Sequence, residues 1–281
     1  MCGNCVMDNV KQRMMSRRNF IAAAAIAGAA LSLPPATPAN AQAPPADTKV
    51  APGGTRTVHD MTHELHPDFP TYFGPQQLFM EQKFKYSEHK FNLFELRINE
   101  HTGTHIDAPL HFSPDGKSVA EIPVSQLVVP LAIVDIRDRA STNFDAQLTP
   151  DDIKAWTARN GPLPRNCCVA MNSGWDAHVT TSKFRNSTDG KTMHFPGFHV
   201  ETAKMLIEDG NAIGIASDTL SLDFGASPDF ATHYAWLPSG RSGLECIANL
   251  SALPPAGATL IVGAPKVRGG TGGPARVMAL L

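Results

Sequence analysis

Cysteine is scarce in this chain, and what there is does not pair. Cys2 and Cys5 lie near the N-terminus, and the remaining Cys167, Cys168 and Cys246 are odd in number with two adjacent. That arrangement implies no disulfide framework and leaves buried free thiols as the reading for the last three. The C-x-x-C of Cys2 and Cys5 lies upstream of a targeting segment and is given no metal or redox role. A surplus of one charge is also missing: 24 basic and 26 acidic side chains give a net charge of −2, so nothing suggests a nucleic-acid partner. No apolar run reaches the roughly 20 residues of a membrane helix, and no repeat of 20 to 50 residues is visible. What remains is 281 residues, 42% of them apolar and 18% charged, enough to bury a sizeable core in one domain.

The first forty-one residues differ from the rest. Ser16-Arg17-Arg18-Asn19-Phe20-Ile21 precedes an alanine-rich apolar run over 21–33, then Pro34 and Pro35, then Ala39-Asn40-Ala41. This reads as a twin-arginine export signal over 1–41 with an A-x-A cleavage site. It implies the twin-arginine export machinery as a partner and a periplasmic or secreted product; Met14 and Met15 offer alternative starts. Residues 42–54, rich in proline, alanine and glycine, read as a disordered linker, and the folded domain is expected over 55–281.

The densest chemistry is Glu100-His101-Thr102-Gly103-Thr104-His105-Ile106-Asp107-Ala108-Pro109-Leu110-His111-Phe112. Residues 91–98 before it alternate, with Phe94, Leu96 and Ile98 on one face and Glu95 and Arg97 on the other, as a strand does. If the extended chain continues, period two puts His101, Gly103, His105 and Asp107 on one side. A helix would bring His101 near His105 but turn Asp107 away, and Gly103, two threonines, Ile106 and Pro109 all weaken it. The strand reading therefore predicts a three-ligand site. Imidazole and carboxylate together suit zinc or manganese, and three protein ligands leave room for a water. The plain alternative is a loop of inert, hydrogen-bonded polar residues.

The pattern His101-x-Gly103-Thr104-His105-x-Asp107-x-Pro109-x-His111-Phe112 resembles the signature of the metal-dependent cyclase family, which includes bacterial kynurenine formamidases and isatin hydrolase. The resemblance implies that His101, His105 and Asp107 hold a metal and that His111 is the catalytic acid/base. It also implies that His233 and Glu245, twelve residues apart ahead of Ala248-Asn249-Leu250-Ser251, bind a second ion bridged by Asp107. One ion or two remain open. The aromatic loop Pro67-Asp68-Phe69-Pro70-Thr71-Tyr72 matches a family loop over the active site, and although it lacks the tryptophan found in kynurenine formamidases, Phe69 and Tyr72 stand as candidates for substrate contact. A small-molecule substrate and a homodimer or homotetramer follow by the same analogy.

The other elements are legible from their pattern. Residues 78–86 alternate and pair with 91–98 as a hairpin. Residues 128–136 and 167–171 read as buried strands. A helix opens at Thr149-Pro150, with Thr149 as N-cap, and ends at Gly161; another spans about 199–209 and closes at Gly210. Strands follow over 212–216, 260–262 and 276–281, while Asp218 and Asp223 brace or cap a loop. Early hairpins exclude a purely parallel sheet. The expected fold is mixed α/β, a barrel-like sheet with flanking helices of the swivelling β/β/α type that the resemblance implies.

A cation held by His101, His105 and Asp107 lowers the pKa of water from 15.7 toward about 7. The expected chemistry is hydrolysis of a C–N bond in an aryl formamide, amide or cyclic amide, with His111 relaying the proton to the leaving amine. An isatin-hydrolase-like attack on a lactam or lactone, a cyclase or dehydratase reaction, and a non-catalytic periplasmic metal carrier are the alternatives.

Overall fold

In a computed structural model, residues 47–50 and 56–281 are described. The export signal expected over 1–41 lies outside them. The described residues belong to one compact unit. Its strands are β1 (Asp47–Val50), β2 (Arg56–Asp60), β3 (Leu78–Phe84), β4 (Leu93–Ile98), β5 (His105–Asp107), β6 (Val128–Asp135) and β7 (Gln147–Leu148). There follow β8 (Cys167–Asn172), β9 (Gly197–Phe198), β10 (Ala212–Ser217), β11 (Ser242–Glu245), β12 (Ala258–Gly263), β13 (Gly272–Pro274) and β14 (Arg276–Leu280). Ten of them build one mixed sheet in the order β1-β2-β14-β12-β6-β8-β10-β11-β5-β13. Its centre, β6-β8-β10-β11, is parallel, and both flanks are antiparallel.

The parallel centre explains why residues 128–136 and 167–171 read as continuous apolar runs. Along β8, Cys168 and Ala170 enter one hydrophobic core while Cys167, Val169 and Met171 enter another, so both faces are covered. The second core is roofed by helices. Ile153 and Trp156 come from α1 (Pro150–Asn160), Ala203 and Leu206 from α2 (Val200–Asp209), and Trp236 from α3 (Ala231–Trp236). Burying side chains the size of Ile153 or Leu206 stabilises the fold by roughly 1.5–3 kcal/mol each. The caps form as the sequence implies: Thr149 N–H and hydroxyl both donate to Asp152, and Gly210 closes α2 at φ +75°.

The first core takes side chains from distant parts of the ladder, Ile106 of β5 and Ala279 of β14 among them, and only Ala275 separates β13 from β14. The sheet is therefore strongly bent around that core. Its pairing runs as an open ladder from β1 to β13 among the described residues, a large mixed sheet.

Three expectations change. The stretch read as a disordered linker includes β1, whose backbone pairs antiparallel with β2, because an open sheet edge offers partners to any adjoining extended segment. The extended chain does not run on from β4 into the histidine motif: it turns through residues 99–104, with Gly103 at φ +68°, before β5 begins. Strands β11 and β13 were not read from the sequence at all, being four and three residues long and interrupted by Gly243 in one and by Gly272 and Gly273 in the other.

The β3–β4 hairpin forms as expected but stands apart from the large sheet. One of its faces carries Phe79 under Arg97 and the ion pairs of Lys83 with Glu81 and Glu95. The other presents Met80, Phe94 and Leu96, each about half exposed.

Candidate active site

Strand β5 lies between β11 and β13, and its period-two geometry decides which side chains share the site. Ile106 points into the first core, while His105 and Asp107 emerge on the opposite face, both buried. Antiparallel register places Glu245 of β11 directly across from His105. His101 arrives separately, from the turn before β5, where its N–H donates to Asn99 Oδ1. Gly103 is required at that turn by its positive φ and by Leu65, whose Cδ1 would lie 2.9 Å from an added Cβ. His111 follows on a single turn, Pro109–His111, and its ring stacks on that of His101 at 3.8 Å between centroids. His233 comes from the first turn of α3.

The structure thus brings His101, His105, Asp107, His111, His233 and Glu245 together, with Asp107 at the centre. Asp107 Oδ1 is 2.7 Å from His101 Nδ1 and 3.3 Å from His105 Nε2, and Oδ2 is 3.6 Å from His233 Nε2. Glu245 reaches His105 Nε2 at 3.3 Å with one oxygen and His233 Nε2 at 3.1 Å with the other. The grouping differs from the expected one. Glu245 sits with His105 and Asp107 as one tight set of donor atoms, and His111 forms another with His101 and Asp107.

Each ligand histidine has its far side anchored. His105 Nδ1–H donates to the Gly103 carbonyl at 2.8 Å, and His233 Nδ1–H donates to Asp223 at 2.6 Å. The other nitrogen of each is thereby turned inward with its lone pair, the arrangement that orients imidazoles on metals. Asp223 also accepts the backbone N–H groups of Thr232 and His233, so the capping role expected for it extends to holding an imidazole. Two inward atoms, His105 Nε2 and Asp107 Oδ2, are buried without a hydrogen-bond partner. Orphaned donors and acceptors of this kind are costly in a folded protein, and a divalent cation among them satisfies both. The residues fit a metal.

Charge in the site follows from the same geometry. Burial works against a charged imidazole at His105, but Asp107 and Glu245 override it and push its pKa up to about 10, so a cation that takes the Nε2 lone pair displaces a proton. Burial likewise opposes the Asp107 carboxylate, yet His101, His105 and His233 hold it well below the usual range. His111 behaves in the opposite way: desolvation dominates and lowers it to about 4, leaving a neutral imidazole at pH 7.

A cavity of about 200 Å³ opens over these groups. His101, His111, His233 and Glu245 form its polar floor, and Tyr72, Phe73, Phe112 and Phe230 its aromatic wall. Phe230 holds a left-handed backbone at φ +53° immediately before α3. Tyr72 therefore sits where a substrate contact was expected. Phe69 does not: it is 4% exposed and packed with Trp175 and Phe184 beneath the loop. Its bulk serves the aromatic cluster that supports the loop. A larger groove of about 440 Å³ beside α1 has no imidazole in its lining, and its Arg137 is paired with Asp135 at 2.6 Å, so donor chemistry rather than volume locates the site. Sequence reasoning gave no role to Phe73, Phe112 or Phe230, and gave Asp223 a loop-bracing or capping role without its hold on the His233 imidazole. That hold would have been legible had 231–236 been read as a helix with an acidic residue against its first turn.

A family model described as a putative cyclase matches residues 59–224, more than half of the chain. The chain belongs to the cyclase family. The match contains His101, His105, Asp107 and His111, while His233 and Glu245 lie beyond it. Among curated family members, the isatin hydrolase of Roseibium aggregatum is 29% identical over 247 residues, covering 81% of this chain and 93% of the relative. The kynurenine formamidase of Salinibacter ruber is 26% identical over 191 residues, covering 68% and 81%. Among solved structures, isatin hydrolase A from Labrenzia aggregata bound to benzyl benzoate superposes with a TM-score of 0.74 at 34% identity, covering 80% of this chain and 94% of that one.

Proposed function

We propose that this cyclase-family protein is a metal-dependent hydrolase that opens the C–N bond of an amide or lactam carried on an aromatic ring. The observation that carries the reading is the convergence of buried nitrogen and oxygen donors, two of them orphaned, beneath a cavity walled by four aromatic rings. His101, His105, Asp107, His233 and Glu245 would hold one or two divalent ions, zinc or manganese by donor type. A bound ion supplies ionised water near neutral pH and a positive charge opposite the oxygen of the attacked carbonyl.

The chain's own groups divide the remaining work. Tyr72, Phe73, Phe112 and Phe230 hold the aryl ring and exclude water from the floor of the cavity. His111 is neutral above about pH 4, so its imidazole accepts the proton lost by the attacking water and returns it to the departing nitrogen. Without that proton the amine is a poor leaving group.

Between substrates, a cyclic amide is favoured over a linear formamide. The isatin hydrolase match spans 81% of this chain and 93% of that relative, against 68% and 81% for the kynurenine formamidase of Salinibacter ruber. The test is turnover of isatin, N-formylanilides and simple aryl lactones by the zinc- or manganese-loaded protein. Isatin is expected to be opened fastest. Tight stoichiometric metal with turnover of none of them overturns the hydrolase reading and leaves a metal carrier.

The same proposal includes export and self-association. The paired Arg17 and Arg18 ahead of an apolar run support twin-arginine export to the periplasm; Arg17→Lys with Arg18→Lys should retain the protein in the cytoplasm. The exposed apolar face of the β3–β4 hairpin supports a homodimer or homotetramer, since an isolated two-stranded hairpin is marginal in water. Light scattering that reports a monomer at micromolar concentration overturns that part.

A further inference from the structure

One ligand, His101, is braced differently from the others, by a glycine-rich strap 170 residues downstream. His101 Nε2 is 2.9 Å from Thr271 Oγ1, and Thr271 Oγ1 is 2.5 Å from Glu100 Oε2. The Thr271 backbone N–H donates to the same carboxylate oxygen at 3.0 Å. We propose that Thr271, oriented by Glu100, is a positioning residue that fixes the tautomer of His101 and so turns its Nδ1 lone pair toward the shared cation. This rests on the metal-site reading above.

A carboxylate only accepts hydrogen bonds, so the single hydrogen of the Thr271 hydroxyl is committed to Glu100. What Thr271 Oγ1 offers His101 is a lone pair, and His101 Nε2 must therefore be the N–H donor. In a neutral imidazole Nδ1 is then unprotonated, yet it faces Asp107 Oδ1 at 2.7 Å. Two lone pairs at that distance repel unless a positive species lies between them, a proton on the imidazolium or the cation that displaces it. Glu100 and Thr271 thus prepare His101 as an Nδ1 ligand, where His105 and His233 are prepared as Nε2 ligands by Gly103 and Asp223.

The strap Gly269-Gly270-Thr271-Gly272-Gly273 is built for this approach. A Cβ on Gly272 would lie 2.4 Å from the Ile106 carbonyl oxygen and 2.8 Å from His101 Cε1, and one on Gly270 would lie 2.9 Å from Glu100 Oε1. Only glycine lets the backbone pass so close to His101 on one side of Thr271 and to Glu100 on the other. The strap is also pinned: Ala108 N–H donates to the Thr271 carbonyl, and Val119 N–H to that of Gly270, both at 2.9 Å. A hydroxyl at this point is held rigidly rather than free to rotate with solvent.

The experiment compares zinc affinity of the full chain by chelator competition in wild type, Thr271→Val and Thr271→Ser. Thr271→Val keeps the shape and removes the hydroxyl. Loss of an outer-shell partner typically weakens a metal site by about 10–100-fold, and that loss is expected for Thr271→Val with near-complete rescue by Thr271→Ser. Long-range 1H–15N spectra of histidine-labelled, zinc-loaded protein should show His101 protonated at Nε2 in wild type and Thr271→Ser. Should Thr271→Val fail to fold, Thr271→Ala carries the same test, since it also removes the hydroxyl, and it should cost at least 10-fold in affinity. Equal affinity in wild type and the folded variant, or an Nδ1-protonated His101 in zinc-loaded wild type, overturns this inference alone. No zinc on wild type overturns the site reading, and this inference with it.

Discussion

Asp107 and Asp218 are equally inaccessible aspartates on neighbouring parts of the fold, and their environments drive them in opposite directions. Asp107 faces three imidazoles, is held well below the usual carboxylate range, and keeps Oδ2 without a hydrogen-bond partner. Asp218 faces no imidazole. Its two oxygens are taken up by Ser173 N–H, Ser173 hydroxyl and Trp175 N–H, while burial and the nearby Asp176 push its pKa up to about 7. Burial is therefore not what marks a carboxylate as functional. The mark is a lone pair left open toward other open lone pairs; Asp218, fully satisfied, only ties down the loop after β8.

The sharpest way to break that contrast is to neutralise each aspartate in turn. Asp107→Asn keeps the shape but removes the central charge, and kcat/KM should fall about 10⁴-fold, equivalent to about 5.5 kcal/mol. Metal content should fall with it, measured by elemental analysis of the folded variant. An active, metal-loaded Asp107→Asn protein would remove the site. His111→Ala comes next, with turnover reduced about 10³-fold, within the range for a lost acid/base. Its metal content separates two roles: retained ion makes His111 a proton carrier, and lost ion assigns it to the donor set with His101 and Asp107. Stripping the ion from wild type by chelation should lower the thermal midpoint, since at an ion concentration of 100 Kd binding contributes about 2.7 kcal/mol.

How far the sequence led can be judged from single residues. The alternation of 91–98, the N-cap at Thr149 and the apolar run of β8 were legible because each is a local pattern that the structure leaves unchanged. His105 and Asp107 were placed on one face by period two, and the structure agrees over the three residues where a strand exists. His101 reaches the same point by another route, a turn closed by Asn99 and Gly103, which no periodicity encodes. Thr271 was out of reach, because a contact across 170 residues leaves no mark on local spacing. The wall of the cavity was half legible for a related reason: an aromatic loop announces itself, but whether Phe69 or Tyr72 faces outward depends on Trp175 and Phe184, which come from another part of the chain.

The remaining tests act on the quieter member of each pair. For Asp218 the sign follows from the raised pKa. Its folded value of about 7 exceeds an unfolded value of about 3.9, so the stabilisation is complete below about pH 4 and is lost as pH rises through about 7. The shift corresponds to at most about 4 kcal/mol. Urea midpoints at pH 4 to 8 should decline in wild type more steeply than in Asp218→Asn, with metal content the same in both. Tyr72 and Phe69 give the smallest effects and divide them cleanly. Tyr72 has its phenol raised by burial and by Glu245, so it stays protonated as a donor at the cavity wall. Tyr72→Phe removes one hydrogen bond, worth about 1 kcal/mol, and should raise KM roughly fivefold with kcat and stability unchanged. Phe69→Leu, away from the cavity, should leave KM alone and lower stability by about 1 kcal/mol through looser packing on Phe184. Exchanged outcomes, with KM moving for Phe69 and stability for Tyr72, would mean that the loop presents its other ring to the substrate.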